Sequence, residues 1–292
     1  MDRVSQPLIS IVIPSLNQAP FLVETLESLV AQTYGCKELI VIDGGSTDRS
    51  VEIIRGFELH LAWWESEKDR GQSHAINKGF ARATGSIVGW LNSDDTLAPD
   101  ALANVAAAFE THQDVDLVYG DFVFTDAQGR VVRRRHVFDH MSFETLLCHD
   151  YLGQPAVFFR RSLLEAVGPI DESLDFCMDW DLFLRMWPRC HSLHLRRVLA
   201  TYRLHLAAKS NAEDSEAAAA AWRAVQRRHM RPRFAWPPLD RAWYGAHFYW
   251  SFVLRAWTVI RDNPFNYLKM MMRMFPNGRF FRLLRRRLRS PF

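Results

Sequence analysis

Residues 8–14 read LISIVIP, an unbroken apolar and β-branched run closed by Pro14. A strand of that composition has no face to give to water, so it belongs inside a parallel sheet covered by helices on both sides. The same alternation recurs downstream. FLVETLESLVAQT (21–33) places Leu22, Leu26, Leu29 and Val30 at helical spacing, KELIVID (37–43) is a second strand, and RSVEIIRGF a second helix. LHLAWWES (59–66) and SIVGWL (86–91) predict further strands. SHAINKGFARAT (73–84) and PDALANVAAAFETH (99–112) predict further helices, the latter with Pro99 in its first turn and Asp100 favourable to the dipole. This pattern dictates an α/β fold with a mostly parallel, doubly wound sheet flanked by helices.

The regularity loosens after residue 120. VDLVYGDFVF (115–124) is a strand, and FVFTDAQGRVVRR a hairpin turning near Gly129. QPAVFFRRSLLEAVG reads as strand then helix, DWDLFLRMW as a helix, and the Ala-rich AEDSEAAAAAWRAVQRRHM (212–230) as the last helix of a domain over residues 1–230. Residues 231–292 form an aromatic, basic tail: 13 Lys/Arg against 2 Asp/Glu, in a chain whose net charge is only +3. Within it, RFFRLLRRRLR would set Phe280, Leu283, Leu284 and Leu288 on one side of a helix ringed by Arg. Such a helix either lies in the interface of an anionic bilayer or packs on the protein. No nucleic-acid-binding module accompanies these charges.

Cys36, Cys148, Cys177 and Cys190 have neither CxxC pairing nor zinc-like spacing, as expected of thiols in a reducing cytosol. The N-terminal MDRVSQPLIS has no apolar leader core. FYWSFVLRAWTVI is too short to span a bilayer and carries Arg255. The expectation is a cytoplasmic protein that can meet the inner face of the membrane through its tail.

Open α/β sheets bind ligands outside the carboxyl ends of their strands. The exits here are PSLN (14–17), DGGSTD (43–48), SEKDRG (66–71) and NSDD (92–95). Any one of them is an ordinary turn; four polar exits on one sheet edge define a candidate site.

In this order, SIVIPSLNQAPFLVETLESLVAQTY, ELIVIDGGSTDRS, SEKDRGQSHAINKGFARATG and IVGWLNSDD, with CMDWDLFLR at 177–185, resemble the family 2 glycosyltransferases of GT-A fold. The resemblance covers residues 8 to 210. It implies an inverting enzyme that moves a sugar from a nucleoside-diphosphate sugar to a hydroxyl of a glycan or lipid-linked acceptor. Pro14, Ser15 and Asn17 would line the nucleotide pocket, Asp43 would contact the base, and Asp69 would lie by base or ribose. Asn92, Ser93 and Asp94 match the Asp-x-Asp motif, with Asn in place of the first Asp. Asp94 would hold Mg²⁺ or Mn²⁺, and Asp95 the metal or the ribose. A departing diphosphate gathers negative charge, which a hard divalent cation on oxygen ligands neutralises.

By the same resemblance Asp179 is the general base that takes the acceptor's proton, and Met178 replaces the usual Glu before it. Asp181 is either an acceptor contact or a carboxylate satisfying a helix N-terminus. Gln154 and Trp180 are candidates for the acceptor side; Trp90, Trp180 and Trp187 suit either a sugar face or the core. YRLHLAAKS (202–210) resembles a Tyr-Arg-x-His stretch, in which Arg203 or His205 would meet the diphosphate and His205 the metal. Gly44 stands where many relatives carry a second Asp. Two other readings remain. A nucleotidyltransferase would need a Gly- and Lys/Arg-rich first exit, which PSLNQAPF does not supply. A sugar-nucleotide-binding subunit without activity would account for Gly44, Asn92 and Met178.

Overall fold

The structure is a computed structural model that describes residues 6–230, apart from 138, 140, 149, 207 and 210–214, together with 243, 244 and 246. The basic RFFRLLRRRLR stretch lies outside the described residues. Those described fall into two compact units, one made of residues up to 139 with 151–222, the other of the 141–150 stretch and residues from 223 onward. No helix of the described residues is long and apolar enough to cross a membrane.

The first unit carries the sheet. In chain order its strands are β1 (Ile9–Ser15), β2 (Lys37–Asp43), β3 (Trp63–Ser66), β4 (Ile87–Trp90), β5 (Thr96–Leu97), β6 (Leu117–Thr125), β7 (Val131–Arg135), β8 (Val157–Arg160) and β9 (Ser192–Arg203). The helices are α1 (Ala19–Val30), α2 (Ser50–Gly56), α3 (Gln72–Arg82), α4 (Ala101–Thr111), α5 (Phe143–Cys148), α6 (Arg161–Val167), α7 (Met178–Met186) and α8 (Glu216–His229), with α5 in the second unit. Strand order is β3-β2-β1-β4-β8-β6-β9-β5, with β7 folded onto β6. β1, β2, β3 and β4 pair in parallel, as do β6 and β9, whereas β5, β7 and β8 run antiparallel to their neighbours. All seven residues of β1 are buried, as the LISIVIP run demands. α3 lies against β1 so closely that a Cβ at Gly79 would overlap the Val12 side chain.

Three elements differ from the sequence expectation. Strand β3 begins at Trp63 because the LHL before it stays out of the sheet; Leu59 is 99% exposed. Helix α4 begins at Ala101, after Asp100 in the left-handed region (φ 57°), so Pro99 stands outside it. The twelve-residue β9 has no counterpart in the sequence reading, although it is the strand that delivers residues 203–205 to the site.

Along β6 and β9 runs a ribbon of charge. His194 Nε2 lies 3.0 Å from Asp121 Oδ1 and its Nδ1 lies 2.8 Å from Asp139 Oδ1. Asp121 also meets His136 Nδ1 at 2.7 Å, and Arg196 donates to Asp139. Burial alone would lower the His194 pKa, but its two carboxylate partners override this and raise it. Burial likewise opposes the fall at Asp121, where the His194 bond prevails; the His194 bond leads the fall at Asp139. A raised histidine stabilises the fold fully below about pH 6.5 and loses that contribution as pH climbs through its folded value; the lowered carboxylates stabilise above about pH 4. The ribbon should therefore contribute most between about pH 4 and 6.5. Thermal melts of wild type and His194→Gln should differ most in that window and converge in alkali; a difference that grows above pH 8 would contradict the assignment.

Candidate active site

The strand exits are stitched to one another before they line anything. Asn17, in the left-handed region (φ 54°), accepts the Thr47 N–H on Oδ1 (2.8 Å) and gives its own N–H to Ser46 Oγ (2.7 Å). Asp48 Oδ2 accepts the N–H of Ala19, the first residue of α1 (3.0 Å). The loop after β2 thereby caps a helix that starts after β1, supplying an acceptor that α1 lacks locally. Asp43 is fully buried at the centre of this turn, where its oxygens accept from Gly45 N–H, Ser46 N–H, Ser46 Oγ and Ser66 Oγ. Its carboxylate is spent inside the protein rather than in the cavity wall.

A cavity of about 220 Å³ opens at the exits of β1 and β4. Pro14, Ser15, Asp69, Asn92, Ser93, Asp94 and Asp95 line it, together with Leu16, Gln18, Gln72, Tyr202, Arg203 and Lys209. Ser15 is buried there and its hydroxyl has no partner. Asp69 Oδ1 accepts the Gly71 N–H (2.8 Å) at the entry to α3. A Cβ on Gly44 would stand 2.7 Å from Asp69 Oδ2, so the missing side chain at 44 is what admits the Asp69 carboxylate.

The adjacent aspartates of NSDD turn in different directions. Asp94 Oδ2 lies 3.0 Å from His205 Nε2 on the cavity wall. Asp95 is buried, and its Oδ1 accepts the backbone N–H of Arg203 at 2.9 Å. Burial, followed by the neighbouring charge of Asp94, pushes the Asp95 carboxyl well above its usual range, against the pull of the Arg203 N–H. Among the described residues no three His, Cys, Asp or Glu side chains gather into a metal cage. Asp94 and His205 supply one oxygen and one nitrogen donor beside open space, which fits a cation whose remaining ligands come from phosphate oxygens and water.

Asn92 joins a chain of amides: Gln72 Nε2 donates to Asn92 Oδ1 (2.9 Å), Asn92 Nδ2 to Gln154 Oε1 (3.2 Å), and Gln154 Nε2 to the Trp90 carbonyl (2.7 Å). Both ends of Gln154, expected toward the acceptor, are thus taken up internally. Arg203, expected on a diphosphate, is also committed elsewhere. Its side chain is 1% exposed and donates to Asp94 O (2.8 Å), Ala127 O (3.2 Å) and Glu24 Oε2 (2.6 Å). It was legible only as a motif residue; its work as a strut behind both aspartates depends on β9.

Asp179 sits in the first turn of α7, half-buried, with Oδ1 accepting the Trp180 N–H (2.9 Å). Desolvation raises its pKa, opposed by that N–H and by the charge of Lys209. α7 is held against the first turn of α3, where Ser73 Oγ donates to Met178 Sδ (2.7 Å); one turn further along α3, Asn77 bonds through both ends of its amide to Ile170, in the segment that leads from α6 to α7. The neighbour of Ser73, Gln72, is in the cavity wall with Asp94 and Lys209, and the charge of Lys209 acts on Asp179. Trp180 is buried and stacks on Trp222 at 5.2 Å. Asp181 is buried and pairs with Arg185 Nε (3.0 Å), whose guanidinium closes on the carbonyls of Val167, Gly168 and Pro169. Trp180 and Asp181 are accordingly built into α7 and its supports.

A curled, mostly parallel sheet with helices on both sides and an acidic cleft at its strand exits is the architecture of the GT-A glycosyltransferases. The chain belongs to glycosyl transferase family 2, whose profile matches residues 10–167. It is 34% identical over 205 residues to a PGL/p-HBAD biosynthesis glycosyltransferase of Mycobacterium bovis, covering 68% of this chain and 78% of that one. Two solved structures share the fold. S. aureus TarS 1-349 in complex with UDP-GlcNAc matches with a TM-score of 0.59 at 19% identity, over 70% of this chain and 60% of that one. The mannosyltransferase PcManGT from Pyrobaculum calidifontis, in complex with GDP-Man and Mn²⁺, matches with a TM-score of 0.62 at 18% identity, over 99% and 82%.

Proposed function

We propose that this glycosyltransferase takes a nucleoside-diphosphate sugar in the cavity beside Asp94 and transfers the sugar, with inversion, to a hydroxyl of a glycan or lipid-linked acceptor. The observation that supports the reading is a cavity at the strand exits whose wall carries Asp94 and Lys209, with the charge of Lys209 acting on Asp179 at the start of α7. The nucleotide would rest against Pro14, the unpartnered Ser15 hydroxyl and Asp69. Asn92 and Ser93 would border the diphosphate. Asp94 and His205 would hold a divalent cation, Mg²⁺ or Mn²⁺, which neutralises charge on the departing diphosphate. Asp95 and Arg203 set the position of Asp94 from behind.

Asp179 acts on the other partner. It accepts the proton of the acceptor hydroxyl as that oxygen forms its bond to the anomeric carbon; the bond to the diphosphate oxygen breaks and the electron pair leaves with the diphosphate. Attack opposite the leaving group inverts the anomeric centre. The relatives' nucleotide-sugar and Mn²⁺ complexes support this choice of donor and cation.

A panel of UDP- and GDP-sugars, assayed for donor hydrolysis and for transfer to lipid-linked and oligosaccharide acceptors, tests the reading. Activity should fall to background in EDTA and return with Mn²⁺ or Mg²⁺. Full activity in EDTA would remove the cation; no turnover of any donor, with nucleotide still bound, would favour a binding subunit.

A further inference from the structure

The cavity is rich in carboxylates and poor in free positive charge. Asp69, Asp94 and Asp95 line it, and among the described residues its only cations are Arg203 and Lys209. Arg203 is held in place from behind: its side chain is 1% exposed, and each of its three guanidinium nitrogens donates to a protein oxygen. Lys209 is different. Its Nζ lies 3.5 Å from Gln72 Oε1, at the outer limit of a hydrogen bond, and 5.5 Å from the centre of the Phe176 ring, and among the described residues it forms no ion pair within 4.0 Å. Around it stand Gln72 at the N-terminus of the eleven-residue α3, and the carboxylates of Asp175 and Asp179, which both act on its charge.

We propose that Lys209 binds the diphosphate of the donor in the cavity whose wall it shares with Asp94. This rests on the sugar-nucleotide reading given above. A dianionic diphosphate entering a wall that carries Asp69, Asp94 and Asp95 needs more positive charge than one cation at Asp94 and His205 would supply. A lysine ammonium is a compact charge on a flexible stem, suited to phosphate oxygens. Here the α3 N-terminus adds its dipole in the same direction. With no strong partner to give up, Lys209 can turn to the phosphates at little cost. Its place next to Asp179 also puts one cation within reach of both the leaving group and the base.

The test is calorimetry on the full chain with Mn²⁺, using UDP and GDP as ligands and uridine and guanosine as competitors. Wild type is expected to bind one diphosphate. Lys209→Met should weaken that diphosphate by about tenfold or more, leave the matching nucleoside's affinity unchanged, and show a shallower salt dependence; Lys209→Arg should recover most of the loss. Equal diphosphate affinity in wild type and Lys209→Met would overturn the assignment while leaving the sugar-nucleotide reading intact. So would a parallel loss of nucleoside binding, which would report a collapsed cavity. Failure of wild type to bind either diphosphate would sink the sugar-nucleotide reading, and this inference with it.

Discussion

Asp179→Asn should lower the rate of sugar transfer by about 10²–10⁴-fold while the affinity for donor stays at the wild-type value. The substitution is nearly isosteric, and an Asn Oδ1 can still accept the Trp180 N–H that Asp179 Oδ1 now accepts at 2.9 Å. α7 therefore keeps its start, and Ser73 keeps its bond to Met178. What is lost is the ability to take a proton. Desolvation already raises the Asp179 pKa, which strengthens it as a proton acceptor and places its acid limb nearer neutrality. Single-turnover transfer, measured beside donor binding by calorimetry, separates the two effects. Wild-type turnover in the Asn variant would exclude Asp179 as the base. A loss of donor affinity equal to the loss of rate would move the residue to the donor side.

The second large effect is on stability. Arg203→Met should cost about 3 kcal/mol, because removing a buried guanidinium leaves the groups it bonds without their donor. Glu24 is exposed and can rehydrate, so most of the cost falls on the carbonyls of Asp94 and Ala127, which lose their buried donor. Arg203→Lys should recover only part, since one ammonium cannot meet three acceptors arranged around a planar fork. Urea denaturation would measure both. A midpoint equal to wild type in the Met variant would mean that the network contributes nothing net.

The sheet could be read in advance wherever burial leaves one solution. LISIVIP and KELIVID are apolar on both faces, and KELIVID matches β2 residue for residue. β9 was not readable because SLHLRRVLATYR is half exposed, and two register shifts against β6 break its alternation. With β9 missing, Arg203 and His205 could be seen as a motif but not placed behind the aspartates. The strand exits were readable as a set, since polar residues after apolar strands have few other uses. Their division of labour was not. Whether a carboxylate faces a cavity, as Asp94 does, or folds inward onto its own turn, as Asp43 does, depends on backbone N–H groups and hydroxyls brought from other strands. Lys209 carried no signal of its own; it stands out only when every other cation in the wall is found occupied.

The amides of Gln72, Asn92 and Gln154 behave as a matched set. Each hands its N–H to the next carbonyl, so direction is fixed along the row and ends on Trp90. Restoring an acid at 92 would put two oxygens face to face at 154, and turning Gln154 to relieve them would strand the Trp90 carbonyl. The departure from Asp-x-Asp is thus held in place by its neighbours. An acid at 92 would therefore call for a compensating change at 154, so the two positions act as one unit.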